Sequence, residues 1–344
     1  MPKSQQLDAD LIIIGGSTAG LATAIFGQLS GLKCHVFEPR LNNFVKSCGE
    51  GLMPSAVALL DEMGVNIPES SPLSGIRYAS GNQQTQAQFP TGTGLGIQRE
   101  VLHAAMLQRA TELGVTFETT KIKKFQDHGS SVSAGGMTAR WLVGCDGLKS
   151  SVRKQIGIDH GRKYPVRFGL NQHYEAKQQN TYVEVYWSKD FEVYITPVGP
   201  HVVNVAVLFS VGRPFEEFIE VVPGIFDKIG QPLSSVMGAG PFEQRPLKLK
   251  HGSIFLVGDA AGFLDPITGE GNQLAMNAAK NLIHCIVSEK PGTYGKKWHQ
   301  ITRDYWYCTS LLLWFARGKL RRKTIVPMLK IFSGLFPFIL KRIS

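Results

Sequence analysis

Apolar residues fall in short blocks with two distinct periods. Asp10 to Gly16 reads Asp-Leu-Ile-Ile-Ile-Gly-Gly, a β-branched run ending in glycine that predicts a buried strand. From Leu21 to Leu29, the positions Leu21, Ala22, Ile25, Phe26 and Leu29 keep helical spacing, and Ser30-Gly31 supplies the stop. Lys33 to Phe37 returns to strand and ends in Glu38-Pro39, which completes a β-α-β unit. Arg99–Leu113 then predicts a helix, Val115–Thr119 a strand and Lys121–Arg140 a small β-meander. Trp141–Gly147 and Ile254–Asp259 are two more apolar strands of the first type, each running into an aspartate. The second of them leads into a helix from about Asn272 to Val287. Between about 165 and 210 the Val, Tyr and Phe content with intervening turn signals predicts antiparallel sheet, and the remainder is helical, apolar and basic.

These elements predict an α/β fold with interleaved domains. One Rossmann-like layer takes residues 8–75, 97–155 and 246–290, and an antiparallel-sheet layer takes 76–96 and 156–245. C-terminal helices at 291–344 follow. The 344 residues suffice for about two packing units. An apolar fraction of 43% with 19% charged residues excludes a disordered or fibrous chain.

Charge changes the picture in one place only. Of the net +10, eight charges lie between Arg317 and Ser344, where no Asp or Glu occurs, so the basic character belongs to the tail. This distribution argues against a nucleic-acid partner, which would need basic residues spread along a groove. The five cysteines form no C-x-x-C pair and no metal spacing, which predicts reduced thiols, no metal and a cytoplasmic setting. Residues 1–9 lack the pattern of a signal peptide, and no apolar run approaches the 18 or so residues of a membrane span.

The candidate chemistry sits at strand ends. Gly15-Gly16-Ser17-Thr18-Ala19-Gly20 lies between a strand and a helix, where N–H groups and the helix dipole receive a pyrophosphate. Glu38, 18 residues past Gly20, is placed for a ribose hydroxyl pair. Ser17 departs from the pattern by standing where the middle glycine is expected. Asp146 and Asp259 reach the same sheet edge, though an aspartate at a strand end is often a helix cap instead. Gly92-Thr-Gly-Leu-Gly96 lacks the spacing of a second phosphate loop and reads as a flexible crossover between layers.

Three segments together carry a family resemblance. They are the fingerprint at 15–20, Gly144-Cys-Asp-Gly-Leu-Lys-Ser-Ser-Val-Arg153, and Gly258-Asp-Ala-Ala-Gly-Phe-Leu-Asp-Pro-Ile-Thr-Gly-Glu-Gly-Asn272. With Lys46-Ser-Cys-Gly-Glu-Gly51, the chain resembles the FAD-dependent aromatic hydroxylases and, within them, the geranylgeranyl-reductase-like branch. The resemblance covers about residues 8–290. It implies that Gly15, Gly16, Ser17, Ala19 and Gly20 meet the pyrophosphate and that Glu38, with Arg40, meets the adenosine ribose. Cys48, Gly49 and Gly51 would line the flavin, Arg99 would open a helix that reaches the cofactor, and Ile122 would meet the adenine through its backbone. Asp146, Asp259, Pro266 and Gly269 join that set, and Gly271 and Asn272 would present N–H groups to the flavin N1/C2=O edge.

The resemblance implies FAD as cofactor and NAD(P)H as a transient co-substrate. Cys48, Glu50 and Glu270 are the catalytic candidates, although Cys48 also reads as an apolar filler and the two glutamates as capping carboxylates. On the substrate side the relatives carry Tyr-x-Trp-x-Phe-Pro or Trp-x-Trp-x-Ile-Pro. Here Glu192-Val-Tyr194-Ile-Thr196-Pro197 keeps one aromatic, Tyr194, and Pro197. This favours an NAD(P)H-linked monooxygenase acting on an apolar aromatic, polyketide or lipid substrate. The alternatives are a C=C reductase of a prenyl lipid and a flavin- or lipid-binding protein without turnover. The tail at 311–344 reads either as helices capping the substrate layer or as a peripheral anchor on the inner face of a membrane.

Overall fold

The strand Ala9–Ile14 is buried on both faces, as its unbroken β-branched run requires, and forms the axis of a parallel sheet. The computed structural model describes residues 7–41, 44–158, 166–178, 180–245 and 248–343. Across this sheet the order is Lys250–His251, Ile254–Leu256, Met137–Gly144, Ala9–Ile14, Cys34–Phe37 and Thr116–Glu118, all parallel except the first. The chain therefore winds outward in both directions from Ala9–Ile14. Ligands of such sheets bind beyond the strands' carboxyl ends where the winding reverses.

Ten helices surround the sheets among the described residues. The longer ones are α1 (Thr18–Leu29), α2 (Pro54–Met63) and α3 (Arg99–Glu112). Short turns α4 (Ser151–Gln155), α5 (Phe215–Ile219) and α6 (Ile225–Lys228) follow. Four more close the chain: α7 (Gly271–Val287), α8 (Tyr294–Arg317), α9 (Lys319–Ile331) and α10 (Leu335–Ile343). Helix α1 packs against α7 and α3 over one face of the parallel sheet.

The second layer is an eight-stranded sheet, antiparallel except where Tyr182–Trp187 runs beside Gly75–Ser80. Its central strands Phe168–Ala176, Phe191–Gly199 and Val202–Phe209 alternate strictly. Phe191, Val193, Ile195, Val203, Val205 and Val207 pack outward against α5 and α6. The alternate positions Asn171, His173, Glu192, Thr196 and Asn204 are buried on the opposite face. A polar face that is also buried marks this side of the sheet as the one built for chemistry.

Several sequence expectations are corrected. The Gly92–Gly96 stretch is not a flexible crossover: Gly94–Gly96 pairs with Gly51–Leu52 and Ser71–Leu73 in a three-stranded sheet. Glycine is required there because a Cβ on Gly96 would lie 1.7 Å from the Pro197 carbonyl oxygen. The strand expected from Trp141 begins at Met137 and is the last strand of the expected meander, so the two are one element. The strand at 254 ends at Leu256, where Gly258 takes a positive φ of 65° into a tight turn. Helix α2 has the usual punctuation, proline in its first turn and a left-handed Gly64 at its end. The domain boundary drawn at 246 and the C-terminal residue 344 lie outside the described residues.

Helices α9 and α10 pack on the hairpin strands Gly75–Ser80 and Gln83–Gln88, joining Ile325, Val326, Leu329, Phe336 and Leu340 to Tyr78 and Trp187. The latch is ionic. Arg322 of α9 is 3% exposed, lies 2.6 Å from Glu192 and donates to the carbonyls of Ser188, Phe191 and Ala316. Glu192 also pairs with Arg167, which in turn faces Asp265 at 3.6 Å. Removing one member of a buried network strands the others' charge. Arg322→Ala is therefore expected to cost about 3–5 kcal/mol, read as a lower urea midpoint.

Candidate functional site

Register puts four strand tips in one row. Ile14 pairs with Phe37 on one side and Gly144 on the other, and Gly144 pairs with Leu256. The residues that follow, Gly15, Glu38, Cys145 and Val257, therefore leave the sheet at a common edge. Gly15 has φ 105°, and a Cβ there would meet the Cys145 carbonyl oxygen at 2.5 Å. Only glycine allows the loop to pass so close to the neighbouring strand. Gly20 is fixed similarly, since its Cβ would lie 1.7 Å from the Gly15 oxygen. Glu38, 4% exposed, accepts from the Gly16 and Arg40 backbone N–H groups at 2.9 Å each. Arg40 adds its Nε at 3.5 Å. Ala19 is buried at the fingerprint helix, and Ile122 packs beside Phe37.

Two helix mouths open at this edge. Neither α1 nor α7 has a side-chain cap on its first N–H groups, and the Thr18 hydroxyl donates to the Asn272 Oδ1 at 3.1 Å, tying the mouths together. Uncapped N-termini beside each other are donors without acceptors. Between them stands Arg99, 2% exposed at the start of α3, whose Nη2 donates to the Ser17 Oγ at 2.8 Å. Ser17 thus replaces the expected glycine with a hydroxyl that orients a guanidinium. The Arg99 Nη1 is buried without a partner, and burial lowers the arginine's pKa despite Cys48, Glu50 and Asp259 nearby. An orphaned cationic donor at a glycine fingerprint fits a pyrophosphate. Gly49 borders open space, where a Cβ would meet nothing within 4 Å. This donor set, a glycine turn, two uncapped helix mouths, a buried arginine and a strand-end carboxylate, fits a dinucleotide such as FAD.

The Cys48–Gly51 loop joins the two layers. Cys48 accepts from the Glu50 N–H through sulfur at 3.4 Å, and its carbonyl accepts from the Asn204 amide at 2.8 Å. Asn204 in turn accepts from Asn171 at 3.0 Å. Glu50 holds a left-handed φ of 60°, which costs about 1 kcal/mol for a side-chain-bearing residue. Its carboxylate repays the conformation by accepting from the Arg99 N–H at 2.7 Å and bonding the His173 Nε2 at 2.6 Å. Burial pushes the Glu50 carboxyl up, and the bond to Glu50 pushes the His173 imidazole up, so the pair retains a proton. Lys46, preceding this loop, reaches Asp259 at 3.3 Å.

Other expected residues sit differently. Asp146 Oδ2 accepts from the N–H groups of Ser151 and Val152 and from the Ser151 hydroxyl, the work of a helix cap. Its Oδ1 is buried without a partner. Glu270 precedes α7, but its carboxyl interacts with Thr268 and Asp304, on the α8 side. Tyr194 donates to the Ile267 carbonyl at 3.3 Å, and Pro197 lies beneath Gly96, so both belong to the second sheet. Pro266 and Gly269 shape the turn before α7, Gly269 with φ 77°. His173, Asn171 and Asn204 were not anticipated from sequence. Asn204 carried a signal as the one polar residue of the apolar strand Val202–Phe209; Asn171 and His173 carried none, since Gln172 stands between them.

Residues 8–205 match the family model described as FAD binding domain. The chain belongs to that flavoprotein family. Among its relatives, a digeranylgeranylglycerophospholipid reductase of Methanothermobacter thermautotrophicus is 25% identical over 77% of this chain and 73% of its own length. A ubiquinone hydroxylase of Rhodospirillum rubrum is 26% identical over 81% and 72%. Among such relatives the flavoprotein spans from 62% to 87% of their length. A solved flavoprotein/dehydrogenase of Cytophaga hutchinsonii shares the fold, with a TM-score of 0.75 at 18% identity over 97% of this chain and 96% of that one.

Two outcomes follow for the flavoprotein. Arg99→Met removes the orphaned donor and is expected to weaken FAD binding by about 10–100-fold, measured by calorimetry on the apoprotein. The second concerns Glu270, whose carboxyl burial pushes up to about 8 from an ordinary 4.5. Between these values the unfolded chain releases a proton that the folded chain keeps, so stability falls as pH rises through that window. Glu270→Gln lifts the penalty. It is expected to raise Tm by roughly 2–4 °C at about pH 8 and to leave it unchanged near pH 4, by scanning calorimetry.

Proposed function

We propose that this flavoprotein is an NAD(P)H-linked monooxygenase acting on an apolar aromatic, polyketide or lipid substrate. One observation carries the reading: an apolar cluster lies between the cofactor edge and the buried sheet face. It joins Met53, Phe263 and Ile267 from the cofactor side to Tyr78, Val185 and Trp187 from the sheet. The buried carboxylates beside this cluster, Glu192 and Asp265, are held by Arg322 and Arg167, and burial keeps the proton on Tyr194. The second sheet keeps only Tyr194 and Pro197 of the reductase branch's Tyr-x-Trp-x-Phe-Pro pattern, which favours oxygen insertion over reduction of a C=C bond.

Bound FAD would accept hydride from the nicotinamide and pass the electrons on to oxygen or substrate. The chain's own part is to hold, exclude and supply protons. The uncapped N–H groups at the start of α1 and Arg99 would hold the pyrophosphate, with Gly15 and Gly20 leaving it room, and Glu38 would hold the ribose. The α7 mouth at Gly271 and Asn272 favours negative charge at the flavin edge without reorganising. Glu50 and His173, which reach across the interlayer seam, hold a proton at the Cys48–Gly51 loop. The apolar cluster keeps water from the reacting centre.

Likeness to the digeranylgeranylglycerophospholipid reductase favours a second reading, reduction of a prenyl chain. One experiment separates these. Purified flavoprotein is mixed anaerobically with NADPH or NADH in the presence of aromatic or prenyl lipids, then exposed to O₂, with products weighed by mass spectrometry. Flavin bleaching followed by product one oxygen atom heavier is expected. Product two hydrogens heavier without O₂ selects the reductase, and no bleaching with either nucleotide overturns both in favour of a binding protein.

A further inference from the structure

Helices α8–α10 present two different apolar faces. The inner face, with Leu312, Ile325, Leu329 and Phe336, is the one that closes the apolar cluster. The outer face has no covering element. Seven of the seventeen exposed large hydrophobic side chains among the described residues lie on these helices or at the turn between α9 and α10: Tyr307, Leu311, Trp314, Leu320, Ile331, Phe332 and Phe338. Leu320 and Ile331 are 79% and 75% exposed, among the highest in that set. Residues packed so tightly on one side do not need such neighbours on the other for folding.

We propose that this outer face is a docking surface for an anionic lipid bilayer. Charge complementarity selects that occupant. Between Arg317 and Ser344 the sequence has eight basic residues and no acidic one, of which Arg322 is buried on Glu192 and Arg342 meets Asp304 at 3.3 Å. Lys319, Lys323, Lys330 and Lys341 are all exposed. Arg321 stacks on Trp314 with its guanidinium carbon 4.0 Å from the ring centre, and Arg342 lies 5.4 Å from Phe338. Aromatic rings with basic groups beside them suit the headgroup boundary, where rings sit below and charges meet phosphate. Aliphatic Leu320 and Ile331 require hydrocarbon, which a nucleic acid or a soluble polyanion does not offer.

The chain lies on the membrane and does not cross it. No single helix among the described residues is long and apolar enough to span; α9 and α10 together reach that length and composition, but they are bent by 103° and their inner faces are buried against the second sheet. The corner between them exposes Ile331 and Phe332, a shallow apolar wedge flanked by Lys330. An apolar substrate resident in that bilayer would be separated from the apolar cluster only by the helices themselves. The surface is independent of which reaction the flavin site performs.

The test uses the full chain with FAD bound and two vesicle types, phosphatidylcholine alone and phosphatidylcholine with phosphatidylglycerol. Sedimentation with the anionic vesicles is expected, weakening as salt is raised. The triple variant W314S/I331S/F332S is expected to lose at least about tenfold in partition while keeping its flavin absorbance and Tm. Lys319, Lys323 and Lys330 changed together to Gln are expected to abolish the preference for anionic vesicles. Three results would overturn the proposal. The parent could fail to pellet with either vesicle, or the triple variant could pellet as the parent does. In the third, the face could prove to be a contact between two copies, seen as a lipid-free dimer that the triple variant converts to monomer.

Discussion

Parallel strands that end level with one another impose a condition on everything above them. With Ile14, Phe37, Gly144 and Leu256 in one row, four chain segments leave the sheet at one edge, and their backbones compete for space. Gly15 and Gly20 resolve that competition by having no side chain. The crowding brings the N-termini of α1 and α7 together, each with N–H groups that no side chain caps. Water or a ligand must satisfy them. A dinucleotide phosphate does so with charge as well as hydrogen bonds, so cofactor binding answers a need created by the packing of the sheet.

The second layer meets this edge with a face that is polar yet dry. Burying Asn171, His173, Glu192 and Asn204 is unfavourable unless each finds a partner. The partners come from other segments: Asn204 holds the Cys48 carbonyl, His173 holds Glu50, and Glu192 is shared by Arg167 and Arg322. Asn171 donates to Asn204 within the sheet, whereas His173, Asn204 and Glu192 tie the sheet to the cofactor loop or the C-terminal helices. Such ties add little net stability, but they fix register between layers, because a shifted layer would leave charges unpaired.

The parallel layer was legible in the sequence because its constraints are local. A β-branched run, a glycine turn and a helical period occupy neighbouring residues, so Gly15–Gly20 and Glu38 stand out without knowledge of the rest. Gly94–Gly96 was read as a linker because its need for glycine comes from Pro197, a hundred residues away. His173 and Asn204 escaped for a related reason. Alternating polar residues in a strand ordinarily face water, and only a second layer packed over them makes them interior. Arg322 looked like one more basic residue of the tail until its carboxylate partner, Glu192, was located across the fold.

The α7 mouth shows how a carboxyl group can stand at a helix N-terminus without cancelling its field. Glu270 occupies the capping position yet makes no cap bond, and its Oε2 is buried without a hydrogen-bond partner. An ionised carboxylate there would oppose negative charge at the Gly271 and Asn272 N–H groups. Burial forestalls this by holding the proton on Glu270 up to about pH 8, so the helix dipole is left unopposed over the neutral range. The stability lost through desolvation is thus the same physical effect that keeps the mouth receptive to an anion.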